Sequence, residues 1–192
     1  MKDIIEKALE ESLRVKETFI RSHVKVIMDV AEKIAAAFLS DRKLLICGNG
    51  GSAADAQHLA SEFVNRYLLE RPPLPALALT TDTSTITSIA NDYTFDDIFS
   101  KQVKALGLEG DILLAISTSG ESENVLRAVR AAKTQGLYTV GLTGKDGGKL
   151  APLADISLVV KNDVTARIQE AHILAGHILC RLVDYILFQR HS

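Results

Sequence analysis

The chain has 192 residues, with 22 Lys and Arg against 24 Asp and Glu and a net charge of −2. That length suits one domain spanning 1–192, able to bury roughly 70% of the surface its unfolded form exposes. Balanced charge without a basic stripe speaks against nucleic acid as a partner, and no run approaches the ~18 apolar residues of a membrane span.

The first element, residues 1–40, is predicted to be a pair of helices. Ile4, Ile5, Ala8, Leu9, Leu13 and Val15, then Val26, Ile27, Val30, Ile34, Ala35 and Phe38, recur at helical spacing, with a break placed around Arg21-Ser22-His23. Its opening, Met1-Lys2-Asp3-Ile4-Ile5-Glu6, scatters charge through an amphipathic pattern, unlike a secretory or transit segment. Cys47 and Cys180 lie in apolar segments without CxxC spacing, as buried reduced thiols of a cytoplasmic protein would.

From Lys43 onward strand and helix patterns alternate. Strands are predicted at 43–47, 75–80, 111–117, 137–143 and 155–160, and helices at 52–68, 83–90, 96–106, 121–135 and 164–190. Such alternation predicts an α/β fold in which residues 43–192 form a doubly wound, five-stranded parallel sheet flanked by helices, flavodoxin-like in plan. Continuous apolar strands such as Ala76-Leu77-Ala78-Leu79 suit a sheet covered on both faces.

Two strand-to-helix turns carry the chemistry. The first is Cys47-Gly48-Asn49-Gly50-Gly51-Ser52, and the second is Ser117-Thr118-Ser119-Gly120-Glu121-Ser122. Ligands of open parallel sheets sit at the carboxyl ends of strands, where free N–H groups and helix dipoles favour an anion. Four hydroxyls in the second turn exceed what a helix cap needs. Neither a GxxxxGK[ST] loop nor GxGxxG spacing is present, so the pattern points to a sugar phosphate rather than a nucleotide.

His58 and Glu62 are four residues apart on the helix that follows the first turn, so they share a face. Gln169 and His177 are eight residues apart on the last helix, or about 80° around it. His172 competes with His177, and spacing does not choose between them. Asn91-Asp92 could form an Asx turn, and Arg66 could be a C-terminal dipole partner of its helix.

Together these stretches resemble the sugar isomerase (SIS) fold, and within it the phosphoheptose isomerases. The resemblance rests on the two turns with Asp55-Ala56-Gln57-His58, Asn91-Asp92, Leu142-Thr143-Gly144-Lys145-Asp146-Gly147-Gly148 and Arg167-Ile168-Gln169-Glu170. It implies conversion of sedoheptulose 7-phosphate to glycero-manno-heptose 7-phosphate, an early step toward the activated heptose of bacterial surface polysaccharide. Glu62 would be the carbon base and His177 its acid partner. His58, Glu62, Gln169 and His177 would hold one exchangeable Zn²⁺ per subunit. Substrate contacts would come from Asn49, Gly50, Gly51, Ser52, Glu62, Arg66, Asn91, Asp92, Ser117, Thr118, Ser119, Ser122 and Gln169. Asn65 stands before Arg66 where the family leads one to expect Gly. The resemblance also implies a homotetramer with active sites at subunit boundaries, with which the very apolar last helix is consistent. A SIS-fold regulatory protein, or an isomerase of another sugar phosphate, is the rival reading, and the four-residue set His58, Glu62, Gln169 and His177 favours the heptose enzyme.

Overall fold

The computed structural model describes residues 1–189. Five parallel strands, β1 (Leu44–Gly48), β2 (Ala76–Ala78), β3 (Ile112–Ser117), β4 (Tyr138–Gly144) and β5 (Ile156–Val160), form one sheet in the order β2-β1-β3-β4-β5. Every residue of β1 and β3 is buried. Because side chains alternate across a strand, Leu44, Ile46, Ile112 and Leu114 enter one core while Leu45, Cys47, Leu113 and Ala115 enter the other. This double burial explains the unbroken apolar runs of β1 and β3, whereas β2, expected to be covered on both faces, is an edge strand that leaves Leu77 40% exposed.

The first core is covered by α1 (Lys2–Leu39), α2 (Gly51–Val64) and α7 (Thr165–Phe188). The second is covered by α3 (Thr83–Asp92), α4 (Ile98–Leu106), α5 (Glu123–Thr134) and the short α6 (Leu150–Leu153). Position 190, expected within the last helix, lies outside the described residues.

The expected N-terminal pair is instead one 38-residue helix. Ser22 does not break it, because its hydroxyl donates to the carbonyls of Thr18 and Phe19 at 2.8 and 3.0 Å, a back-bond a helix accommodates. Further along, Ile27, Val30, Ile34 and Phe38 pack against the sheet core.

A second difference lies at the end of α2, expected at residue 68 and found at Val64. Arg71 is responsible. Its buried guanidinium donates to the carbonyls of Glu62, Phe63 and Asn65 at 2.9, 2.7 and 3.3 Å, taking up acceptors that a continued helix would have satisfied. The same group pairs with Asp184 of α7 at 2.9 Å, with side chains 1% and 6% exposed. A little earlier, α7 presents Gly176 to α2. A Cβ there would stand 2.5 Å from a methyl of the fully buried Leu59, so the close crossing of the two helices requires glycine.

Removing one partner of a buried ion pair strands the other charge. Asp184→Ala is therefore expected to lower the unfolding free energy by about 3–5 kcal/mol, as urea denaturation followed by circular dichroism would measure. A loss below 1 kcal/mol would show that the carbonyls of Glu62, Phe63, Asn65 and Pro72 around Arg71 suffice without the carboxylate.

Candidate active site

Both turns lie at the carboxyl edge of the sheet, side by side, because β1 and β3 are neighbours in register from Leu44↔Ile112 to Gly48↔Ile116. The helices that follow them cover opposite faces, with Ala56 and Leu59 of α2 in one core and Val125 and Val129 of α5 in the other. The crevice between them is the topological switch point of the sheet.

In the first turn Gly50 caps α2, which places the buried Ser52 inside the helix rather than at its cap. Gly51 lies against the Gln169 side chain, and a Cβ at this position would collide with that amide. Here α7 meets the first turn. In the second turn the Ser117 hydroxyl is 3.1 Å from that of Ser122 and 3.5 Å from that of Ser119. Ser122 occupies the N-cap of α5, yet its hydroxyl makes no capping bond, so it is available to a ligand. Thr118, between Ser117 and Ser119 in the chain, is half-buried.

The loop after β4 braces this turn. Leu150 donates its N–H to the Gly120 carbonyl at 3.0 Å, and Glu121 accepts from the Lys149 backbone and ammonium at 3.0 and 2.6 Å. Lys145 and Asp146 belong to that loop, where the Asp146 carboxylate accepts from the Gly148 N–H at 3.0 Å.

A bond absent from the sequence reading joins the two turns. Asn49 and Asn124 exchange amide hydrogen bonds, each donating to the other at 2.8 and 2.9 Å. Asn124 is 2% exposed in the first turn of α5. The one available signal was a polar residue two positions after Ser122 on an inward-facing position.

Further along the helix that follows the first turn, α2 and α7 bring His58, Glu62 and His177 together, one ligand atom from each lying within 4.8 Å of the others. The two histidine Nε2 atoms are 2.9 Å apart, and Glu62 Oε1 is 3.5 Å from His58 Nε2. All three belong to one chain, so pairing Glu62 with His177 does not require a neighbouring subunit. The Tyr67 ring stacks on His177 with centroids 5.3 Å apart and planes 21° apart. One turn before His58, Asp55 keeps a carboxylate oxygen buried without a hydrogen-bond partner among the described residues. Burial raises its pKa, opposed by the charge of His58.

His172 takes no part in the cluster. It is fully buried, and its Nε2 lies 3.1 Å from the Thr143 carbonyl, to which it donates. Asn91 and Asp92 end α3 as exposed residues hydrogen-bonded to each other at 2.9 Å, inside the helix rather than in an Asx turn. Arg66 lies beyond the end of α2, where it pairs with Glu70 at 3.4 Å on the surface. The structure thus gathers the two turns, Gln169 and the histidine–carboxylate group, and leaves Arg66, Asn91 and Asp92 paired locally.

The SIS domain model matches residues 9–144. A phosphoheptose isomerase of Nitratidesulfovibrio vulgaris strain Hildenborough is 56% identical over 97% of this chain and 89% of its own length. The chain belongs to the phosphoheptose isomerase family of SIS-domain proteins. Solved structures agree. A phosphoheptose isomerase from Neisseria gonorrhoeae superposes with a TM-score of 0.90 at 46% identity, covering 95% of this chain and 98% of that one. Another, from Francisella tularensis, gives 0.91 at 44% identity over 95% and 97% of the two chains. The family likeness therefore spans the sheet, both turns and the α2–α7 crossing.

Burial lowers the His172 pKa from 6.5 to about 4. The unfolded chain gains this proton near pH 6.5, and the folded one not until about pH 4, so stability falls as pH drops through that window. Between pH 7.5 and 5 the loss from this one group is about 2 kcal/mol. Urea unfolding at both pH values should show that slope, and His172→Gln should flatten it. An unchanged slope in the variant would assign it to other groups.

Proposed function

We propose that this chain converts sedoheptulose 7-phosphate to glycero-manno-heptose 7-phosphate, holding the phosphate at the two turns and moving protons with Glu62 and His177. The observation that carries the reading is the convergence of His58, Glu62 and His177 within 4.8 Å, on the two helices that meet at the first turn through Gln169 and Gly51.

Ketose–aldose exchange moves a proton between adjacent carbons. Glu62 removes the C1 proton of the ketose, and the C1–H electron pair becomes the C1–C2 double bond of the enediol. The C2 carbonyl oxygen takes a proton from His177. In the second half the O1 proton passes back to His177, the double bond shifts to C1–O1, and Glu62 returns its proton to C2. The base regains its charge and the acid its proton. Such positioned proton transfers contribute about 10²–10⁴-fold in rate. At the phosphate end, Ser119, Ser122, Ser52 and Thr118 supply hydroxyl donors, and the starts of α2 and α5 supply backbone N–H groups and a favourable dipole. Asn49 acts by clamping the two turns through Asn124, and Gln169 acts at Gly51.

Two imidazole nitrogens and a carboxylate oxygen form a donor set suited to zinc. Their spacing fits, since nitrogens bound tetrahedrally at 2.0–2.1 Å stand about 3.3 Å apart, against 2.9 Å here. His58, Glu62 and His177 would hold one exchangeable ion per subunit, with the Gln169 amide as fourth ligand, and the proton transfers of Glu62 and His177 would then fall to the carboxylate oxygen and ring nitrogen not bound to the ion. When bound, zinc would stabilise negative charge on the sugar oxygens.

Assembly is part of the proposal. Ile4, Ile5, Leu9 and Leu13 of α1 are 72, 69, 58 and 56% exposed, an apolar row that a homotetramer would cover. Light scattering should give about four times the 20.8 kDa chain mass, and a monomer would refute it. The reaction itself is cytoplasmic biosynthesis that feeds bacterial surface polysaccharide.

NMR of sedoheptulose 7-phosphate incubated with the zinc-supplemented protein tests the reaction. The aldose should appear, carrying deuterium at C2 when the solvent is deuterium oxide. Glu62→Gln and His177→Gln should each lower turnover by about 10²-fold or more while leaving the fold intact. Near-normal turnover in either variant would remove that residue from the mechanism.

A further inference from the structure

We propose that Tyr67 is a positioning residue that sets the orientation of the His177 ring by stacking on it, an inference that rests on the isomerase reading for its catalytic arm. A histidine used as a metal ligand or proton carrier is ordinarily oriented by a hydrogen bond to its other ring nitrogen. Among the described residues His177 has no such bond. Its Nε2 faces His58 at 2.9 Å, and among the described residues no hydrogen bond reaches its Nδ1. What holds the ring is aromatic contact. Tyr67 lies nearly parallel to it at 5.3 Å and 21°, and His58 meets it edge-on at 5.1 Å and 71°. Rotation of the imidazole would carry it into the Tyr67 face, so the tyrosine supplies the restraint that a hydrogen bond supplies elsewhere.

Tyr67 can do this because it sits in a short segment fastened at both ends. It lies between the end of α2 and Arg71, and Arg71 donates to the carbonyls of Glu62, Phe63 and Asn65 before pairing with Asp184. Asp184 is two turns beyond His177 on α7. The short loop is therefore fastened to both helices whose side chains form the cluster. The Tyr67 hydroxyl makes no hydrogen bond among the described residues, so the ring face and not the phenol carries the role.

The test compares wild type, Tyr67→Phe and Tyr67→Ala by steady-state kinetics with sedoheptulose 7-phosphate and by cobalt(II) titration followed through its visible absorption. Tyr67→Phe should match wild type in both. Tyr67→Ala should lose about tenfold or more in kcat, with KM within about twofold, and should need about tenfold more cobalt for half-saturation, the scale seen when the groups orienting a metal ligand are removed. Wild-type kcat and cobalt affinity in Tyr67→Ala would overturn the proposal. So would a Tyr67→Phe variant as impaired as Tyr67→Ala, since that would assign the effect to the hydroxyl. If Tyr67→Ala does not fold by circular dichroism, Tyr67→Leu, which fills the space without a flat face, is expected to show the same losses and is judged by the same outcomes. A wild-type protein inert toward the heptose phosphate would refute the isomerase reading, while the cobalt series would still decide the role of Tyr67.

Discussion

The candidate site depends on the distance and register at which α2 crosses α7. One helix carries His58 and Glu62, the other Gln169 and His177, and neither pair forms a site alone. Leu59 against Gly176 sets how near the helices come, and the Arg71–Asp184 pair sets how far one can slide along the other. A slip of one residue is about 1.5 Å along the axis, which is enough to undo the 2.9 Å approach of the two imidazoles. Reaction rates are sensitive to misplacement of about 1 Å, so a buried charge that contributes little net stability can still be worth keeping for register.

The sheet supplies the complementary constraint. Since β1 and β3 are adjacent and their following helices leave on opposite faces, two helix starts open onto one crevice without meeting elsewhere. The Asn49–Asn124 exchange then converts adjacency into a fixed gap. Phosphate geometry and proton-transfer geometry are in this way set by separate parts of the fold, strand register for the first and helix crossing for the second. Gln169, lying on Gly51 two turns from His177, is where the two systems touch.

Much of this was legible in the sequence, and the reasons differ by element. The strands and the helices between them follow from local periodicity, and the turns from glycine and hydroxyl content, so their existence and order could be read directly. The break expected around Arg21-Ser22-His23 is absent because the chain bonds both Ser22 and His23 to the preceding turn, which local periodicity does not reveal. The early end of α2 could not be read locally, since it is fixed by a guanidinium seven residues downstream together with a carboxylate on α7. The choice between His172 and His177 is likewise tertiary. One faces the sheet beneath Thr143 and the other faces α2, a distinction that helical spacing alone does not make. Asn124 and Tyr67 carry no local signal, because each matters through a neighbour distant in sequence, Asn49 for the first and His177 for the second.

The amide exchange between Asn49 and Asn124 also bears on how the protein ages. Asn49 precedes Gly50, and an asparagine before glycine is prone to cyclise, as the unhindered following nitrogen attacks the side-chain carbonyl carbon and ammonia is expelled. That attack needs the side chain to swing toward its own backbone. With both its oxygen and its nitrogen engaged across the crevice, the Asn49 amide is held away from that path. The bond that fixes the spacing of the turns therefore also protects the first of them from its own chemistry, and each excursion that opens the crevice exposes this asparagine to irreversible damage.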